Sequence, residues 1–184
     1  VASFFISRIY TAIDALIAAR LQAATQAGEQ ALLRGLMGRA AIANAKLAYQ
    51  DYKRLFSGAR WKKLAARGAR PQRLLWASTG TKNKDYSDVL YVEELIGPNT
   101  INTVPPATLD AFRDHGTPRD SLEENIEDAR RVLDELERSG ISLDAITDEL
   151  VKDGVKQFAD AAYKLYGAFA HKRAASLGGG IDRQ

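Results

Sequence analysis

The chain has 184 residues, no cysteine, and a formal net charge of +3 from 26 basic and 23 acidic side chains. This length is enough for one domain with a substantial core. The lack of cysteine excludes disulfides and thiolate metal sites, and the small charge imbalance argues against a nucleic-acid-binding protein. No apolar run reaches the ~18–20 residues that span a bilayer, so no membrane association and a cytoplasmic setting are expected.

The first third of the chain predicts one strand followed by helices. Val1–Ile9 is rich in β-branched and aromatic residues and predicts a buried strand. Apolar residues at helical spacing then predict a helix that ends near Gly28, and a second, long helix over Glu29–Phe56. A short helix is predicted over Arg60–Arg67.

The middle of the chain predicts two more strands. Arg73–Ala77 is a short apolar run that gives way to a polar loop, Ser78–Ser87. A short helix is predicted over Asp88–Ile96, and a third strand over Thr100–Thr103. Pro106 suits the first turn of the helix that follows.

The last third predicts helices only. Ser121 is expected to cap a helix that ends at Gly140, and Ser142 begins the last helical region.

Residues 1–176 are assigned to one domain, and Leu177–Gln184, which contains three consecutive glycines, to a flexible tail. The alternation of strands and helices predicts a parallel sheet. Three strands cannot close a barrel, which needs about eight. We therefore expect the chain to be the back part of a larger α/β protein.

Polar side chains cluster at the carboxyl ends of the first two predicted strands. Ser3 and Arg8 lie on the first strand, and an arginine at a strand end can bind two phosphate oxygens with its planar fork. Ser78 and Lys82 follow the second strand in a loop of hydroxyls with one glycine. An ordinary surface loop and a surface arginine are the simpler interpretations. Together, however, the two segments indicate two walls of a site for a phosphorylated ligand.

Four segments of the sequence resemble one known family. They are VASFFISR, GRAAIANAKLAYQDY, RPQRLLWASTGTKNKDYSDVLYVEELIGPNTINTVPPATLDAF and GVKQFADAAYKLYGAF. They are similar to the carboxyl-terminal part of transaldolases, in particular those of actinobacteria and cyanobacteria. The resemblance implies a partial (β/α)8 TIM barrel, strands six to eight with the terminal helices. It also implies sugar-phosphate substrates, the pentose phosphate pathway, and no metal or cofactor.

The resemblance also implies roles for single residues. Ser3 and Arg8 match the serine and the phosphate-binding arginine of strand six, and Ser78 matches the serine of strand seven. Lys82 stands where many transaldolases carry a second phosphate-binding arginine. At Tyr10 relatives commonly have aspartate. The Schiff-base lysine of the family belongs to strand four, so no catalytic residue is expected in this chain, and the chain alone is expected to be inactive.

Two other functions stay open at the level of sequence. The first is a related Schiff-base aldolase of the fructose 6-phosphate type, which would use the same phosphate-binding groups and differ in its acid–base residues. The second is a non-enzymatic helical interaction or nucleic-acid module, suggested by the basic segment around Trp61. The acceptor substrate and the oligomeric state are not predicted.

Overall fold

The structure is a computed structural model that describes residues 1–178. Its described residues fall into two units, Val1–Ile146 and a second that begins at Thr147. The three strands are β1 (Ala2–Phe5), β2 (Leu74–Ala77) and β3 (Ile101–Thr103). The helices are α1 (Ile6–Ala23), α2 (Ala27–Leu36), α3 (Ala40–Leu55), α4 (Ala59–Ala65), α5 (Leu90–Glu93), α6 (Pro106–His115), α7 (Ile126–Arg138) and α8 (Leu143–Gly178).

The three strands form one parallel sheet in the order β1–β2–β3. Phe4 pairs with Trp76 in register, and their rings meet edge to face with centroids 5.7 Å apart. Trp76 is fully buried, whereas Ser3 and Phe5 on the opposite face of β1 are exposed. One face of the sheet therefore belongs to the core. The alternation of strands with helices confirms the α/β class and the parallel sheet that the sequence predicts.

The first strand is shorter than predicted, which changes the setting of Arg8. The predicted strand covers Val1–Ile9, but β1 ends at Phe5 and α1 begins at Ile6. The buried side chains of α1 include Ile6, Ile9, Ile13 and Ile17. This spacing of three and four is helical, and the β-branched composition concealed it. Arg8 therefore lies in the first turn of a helix rather than on a strand.

The long helix predicted over Glu29–Phe56 is two helices, α2 and α3, separated at Gly38. Gly38 has a φ of +73°, a conformation that a helix cannot contain and that glycine adopts without steric cost. A Cβ atom at Gly38 would lie 3.0 Å from the Tyr86 ring. The break therefore brings the chain close to the loop that follows β2.

Helix α7 begins five residues later than the predicted cap. Ser121 does not cap it: its Oγ accepts the N–H of Ile96 at 3.2 Å and donates to the carbonyl of Glu93. Asn125 precedes α7 in the left-handed region with a φ of +56°. Ser121 therefore joins the start of this segment to the end of α5. Helix α7 packs along α3, and this pairing forms much of the helical core.

The second unit, described from Thr147 to Gly178, is one continuous helix, the main part of α8. The first two residues of the predicted flexible tail, Leu177 and Gly178, are the last residues of α8. The remainder of that tail, residues 179–184, lies outside the described residues. Within residues 1–178, no helix combines the length and the apolar character needed to cross a membrane.

Candidate functional site

The carboxyl ends of β1 and β2 lie side by side. Ser3 is in register with Leu75, and Phe5 with Ala77. Just beyond the strands, the N–H of Ser7 donates a hydrogen bond to the carbonyl of Ser78 at 3.2 Å. Parallel strands place their carboxyl ends at one edge of a sheet. The two segments that the sequence indicated as walls of a site are therefore neighbours at this edge.

The Arg8 side chain contacts Phe5, which lies on the same face of β1 as Ser3. Its guanidinium carbon is 5.0 Å from the centroid of the Phe5 ring, and Phe5 and Ser3 alternate with Phe4 along β1. The stacking holds the guanidinium beside the strand end, because a cation is attracted to the face of an aromatic ring. Arg8 also lies in the first turn of α1, which contains no acidic residue. The positive end of the helix dipole therefore adds to the charge of Arg8.

Ser78 has an unusual backbone at the end of β2. Its φ is +57°, in the left-handed region that non-glycine residues seldom adopt. Such conformations cost about 1–3 kcal/mol and cluster at functional sites. Here the conformation turns the chain sharply from β2 into the polar loop and directs the Ser78 carbonyl to Ser7.

The loop after Ser78 is held by several hydrogen bonds. Thr79 is fully buried, and its hydroxyl donates to the Asn102 side chain at 2.8 Å. The Thr81 hydroxyl donates to the carbonyl of Ser87 at 2.8 Å. A Cβ at Gly80 would lie 3.2 Å from Pro105, so the loop packs closely against the start of α6. The loop that carries Lys82 is therefore a defined structure.

Arg8 and Lys82 are cationic residues near this edge, and both are exposed. Within residues 1–178, neither side chain forms an ion pair. The Lys82 main chain, in contrast, is fixed: its N–H donates to the hydroxyl of Tyr10 at 2.5 Å. This end of the sheet thus contains two exposed cationic residues without an ion pair, together with Ser3 and Ser78. This set of groups suits an anionic, hydroxylated ligand.

Sequence reasoning did not identify the contacts of three residues behind this edge, Tyr10, Asp14 and Tyr86. Tyr10 and Asp14 are buried and Tyr86 is half-buried. The Tyr86 hydroxyl donates to Asp14 Oδ2 at 2.7 Å. Burial and this hydrogen bond raise the pKa of Tyr86. The spacing of Tyr10 and Asp14, four residues apart on α1, was the signal available in the sequence. Their partners lie 72 residues further along the chain, so spacing alone could not identify the contacts.

Lys46 lies in a different part of the molecule. Its side chain is 6% exposed and donates to Glu94 Oε2 at 3.1 Å and to the carbonyl of Glu124 at 3.3 Å. Burial raises the pKa of Glu94, but the hydrogen bonds from Arg119 and Lys46 outweigh this effect and hold the pKa below its usual value. Lys46 therefore joins α3 to the segments before α7 as a structural ion pair. Its amine is not free to react.

The described part of the chain, including this edge, contains no cluster of side chains suited to a metal ion. Among residues 1–178, no group of three or more histidine, aspartate or glutamate side chains could hold a metal ion. The strand ends instead contain hydroxyls and the cations Arg8 and Lys82, and a positive charge disfavours a metal ion nearby.

The chain has a parallel βα sheet with hydroxyls and cations near the carboxyl ends of its strands. Proteins of this α/β class bind ligands at the strand ends. The family described as transaldolase/fructose-6-phosphate aldolase matches residues 1–169. The chain therefore belongs to this family, which confirms the resemblance found in the sequence.

Several transaldolases are closely similar to this chain in sequence. A transaldolase of Thiobacillus denitrificans is 54% identical over 158 residues, which cover 86% of this chain and 42% of the relative. A transaldolase of the cyanobacterium Trichodesmium erythraeum is 49% identical over 86% of this chain and 42% of its own length. For a transaldolase of Thermobifida fusca the identity is 45%, over 95% of this chain and 46% of the relative. The chain thus spans less than half the length of these relatives.

Proposed function

We propose that this chain forms the sugar-phosphate-binding part of a transaldolase, namely strands six to eight and the terminal helices of a (β/α)8 barrel. In this proposal β1, β2 and β3 are strands six, seven and eight. The whole enzyme transfers a dihydroxyacetone unit from sedoheptulose 7-phosphate to glyceraldehyde 3-phosphate. The family match over residues 1–169 supports the activity, and the parallel order of the three strands is consistent with a partial barrel.

The observation that carries the proposal is the hydrogen bond between the Ser7 N–H and the Ser78 carbonyl at 3.2 Å. It places the start of α1, with Arg8, beside the loop that carries Lys82. Arg8 binds the substrate phosphate with its planar fork, and the dipole of α1 favours the negative charge. Lys82 adds a second positive charge without the bidentate geometry.

The hydroxyls of Ser3 and Ser78 hydrogen-bond the polyhydroxylated part of the substrate. Binding the phosphate at a fixed point orients the rest of the sugar, so that binding energy remote from the reacting carbons contributes to the rate. The chemical step uses a lysine Schiff base, which accepts the electron pair of the cleaved carbon–carbon bond. We place this lysine in the part of the relatives' length that this chain does not span. Lys46 is excluded because it is buried and paired with Glu94.

The proposal is tested with a chimera in which this chain replaces the matching 42% of the Thiobacillus denitrificans transaldolase. The chimera is expected to transfer the three-carbon unit, and the 184-residue chain alone is expected to show no turnover. Arg8→Ala should raise the KM for the ketose phosphate by about 10–100-fold, because a charge-assisted bidentate contact is worth about 1.5–3 kcal/mol.

Two matched lysines provide the control. Lys82 and Lys84 are both exposed and lie in the same loop, but only Lys82 is assigned to the phosphate. Lys82→Ala should raise the KM, and Lys84→Ala should leave it within about twofold. A folded, active chimera whose KM is unchanged by both Arg8→Ala and Lys82→Ala would contradict the assignment of the site.

The family description also includes fructose-6-phosphate aldolase, and this second activity has a distinct product pattern. An aldolase of that type cleaves fructose 6-phosphate and releases free dihydroxyacetone without an acceptor. Transfer that depends on an added aldose phosphate favours the transaldolase. Product analysis of the chimera with and without glyceraldehyde 3-phosphate therefore separates the two activities.

A further inference from the structure

We propose that Tyr10 is a positioning residue that fixes the main chain at Lys82 and so sets where the Lys82 ammonium meets the substrate phosphate. This inference rests on the proposed function and names a determinant of phosphate binding within it. Tyr10 itself does not touch the ligand, because its side chain is buried with 3% of its surface exposed.

The first argument is the contact between Tyr10 and the loop. The Tyr10 hydroxyl accepts the N–H of Lys82 at 2.5 Å. Its ring stacks on Tyr91, with centroids 4.9 Å apart and an angle of 24° between the planes, and Tyr91 is fully buried. A ring packed in this way has few accessible rotamers. The hydroxyl is therefore a fixed acceptor, and the Lys82 N–H is held at a defined place.

The second argument is that the same helix holds the loop again one turn later. Asp14 follows Tyr10 by four residues on α1, and its Oδ2 accepts the Tyr86 hydroxyl at 2.7 Å. Its Oδ1 accepts the N–H of Gly38 at 3.1 Å. Lys82 and Tyr86 are also four residues apart. The loop segment is thus attached at both ends to successive turns of α1.

The third argument is that α1 carries the other cation of the site. Arg8 lies two residues before Tyr10 in the first turns of α1. A helix is a rigid frame over such a distance, so the bond from Lys82 to Tyr10 fixes the Lys82 backbone relative to the backbone of Arg8. A lysine side chain is long and flexible, and ordering it opposes binding. A main chain that is already fixed lowers the entropic cost of ordering the lysine side chain when the ligand binds.

The contact itself is tested by amide hydrogen exchange in the 184-residue chain. Tyr10→Phe keeps the ring stacked on Tyr91 and removes the acceptor. The exchange of the Lys82 N–H should become at least about tenfold faster, because its protecting hydrogen bond is lost. The matched control is Tyr49→Phe: Tyr49 is also 3% exposed, and its hydroxyl donates to the Pro98 carbonyl at 3.0 Å, away from the loop. The control should leave the Lys82 exchange rate unchanged.

The functional role is tested in the chimera described above. Tyr10→Phe should raise the KM for the ketose phosphate about five- to tenfold and leave kcat within about twofold, and Tyr49→Phe should change neither. A purely structural role would affect both variants alike. In the Lys82→Ala background, Tyr10→Phe should have little further effect on KM, because the group that it positions is then absent.

The outcomes separate this inference from the proposed function. If Arg8→Ala and Lys82→Ala raise KM but Tyr10→Phe does not, the site is correct and the role of Tyr10 is wrong. An unchanged Lys82 exchange rate in Tyr10→Phe also overturns the inference. If the folded wild-type chimera neither transfers nor cleaves, the proposed function itself fails, whereas the exchange experiment still reports on the contact.

Discussion

Helices α7 and α8 both contain apolar residues at spacings of three and four, but these residues are buried in α7 and mostly exposed in α8. In α7 the residues Ala129, Val132 and Leu136 are buried, and the helix packs along α3. In α8 the apolar residues Phe158 and Leu165 are exposed, and Phe158 retains 76% of its surface. Periodicity identifies which residues share a face of a helix. Whether that face is buried depends on the surface that covers it.

The largest expected difference between the two helices is the cost of truncating a leucine. Leu136 is fully buried in α7, whereas Leu165 in α8 is exposed. Leu136→Ala should lower the free energy of unfolding by about 3 kcal/mol, because it removes buried apolar surface and leaves a cavity. Leu165→Ala should change it by less than about 0.5 kcal/mol. Urea denaturation of the 184-residue chain measures both values, and equal losses would contradict the comparison.

A smaller difference is expected between one ion pair near α7 and one within α8. Lys46 and Glu94 have side-chain exposures of 6% and 26%, and Lys152 and Glu149 have 71% and 66%. Lys46→Met should lower the free energy of unfolding by about 2 kcal/mol, because it leaves a partly buried carboxylate with one cation fewer. Lys152→Met should have an effect below about 0.5 kcal/mol. A Lys46→Met variant as stable as the wild type would show that the pair contributes nothing.

The smallest expected effect is the change in stability at acid pH that comes from Glu94. Its partner Lys46 also binds the carbonyl of Glu124, just before α7. Arg119 and Lys46 hold the pKa of Glu94 below its usual value of 4.5, so the folded state favours the carboxylate. This stabilisation is present above pH ~4.5 and is lost as the pH falls through the lower value of the folded state, since protons then bind Glu94 of the folded chain. One such group contributes at most about 1.4 kcal/mol per pH unit to the slope.

Glu94→Gln isolates this contribution. The wild type should lose stability faster than Glu94→Gln between about pH 5 and pH 3, as measured by urea denaturation at a series of pH values. The two curves should converge at the acid end, where the wild-type carboxyl is protonated as well. Parallel curves over this interval would show that Glu94 does not contribute to the acid dependence.

Several differences between prediction and structure have a common cause. The predicted strand over Val1–Ile9 and the predicted helix over Glu29–Phe56 both rest on the composition and spacing of a contiguous segment. In the first, a helical stripe begins at Ile6 inside a run that is also typical of a strand. In the second, a single glycine, Gly38, interrupts a pattern that is otherwise continuous. Local patterns are ambiguous at such boundaries.

In the candidate site, too, the sequence predicted some features and not others. The sequence placed Ser3, Arg8, Ser78 and Lys82 near the ends of two strands, and the structure brings those strand ends together. The assignment of these residues to a sugar phosphate stays a prediction. The contact of Tyr10 with Lys82 could not be predicted, because the two residues are 72 positions apart in the chain.

The sequence by itself determined the α/β class, the positions of β2 and β3, the helical character of the last third and membership of the family. These follow from periodicity, turn residues and motifs, which are properties of contiguous segments. Only the tertiary structure decided where α1 begins, that Ser121 binds the end of α5, and that Tyr10 holds the loop at Lys82. These features depend on which distant groups meet to satisfy buried hydrogen bonds, and the packing of the sheet and its helices fixes that choice.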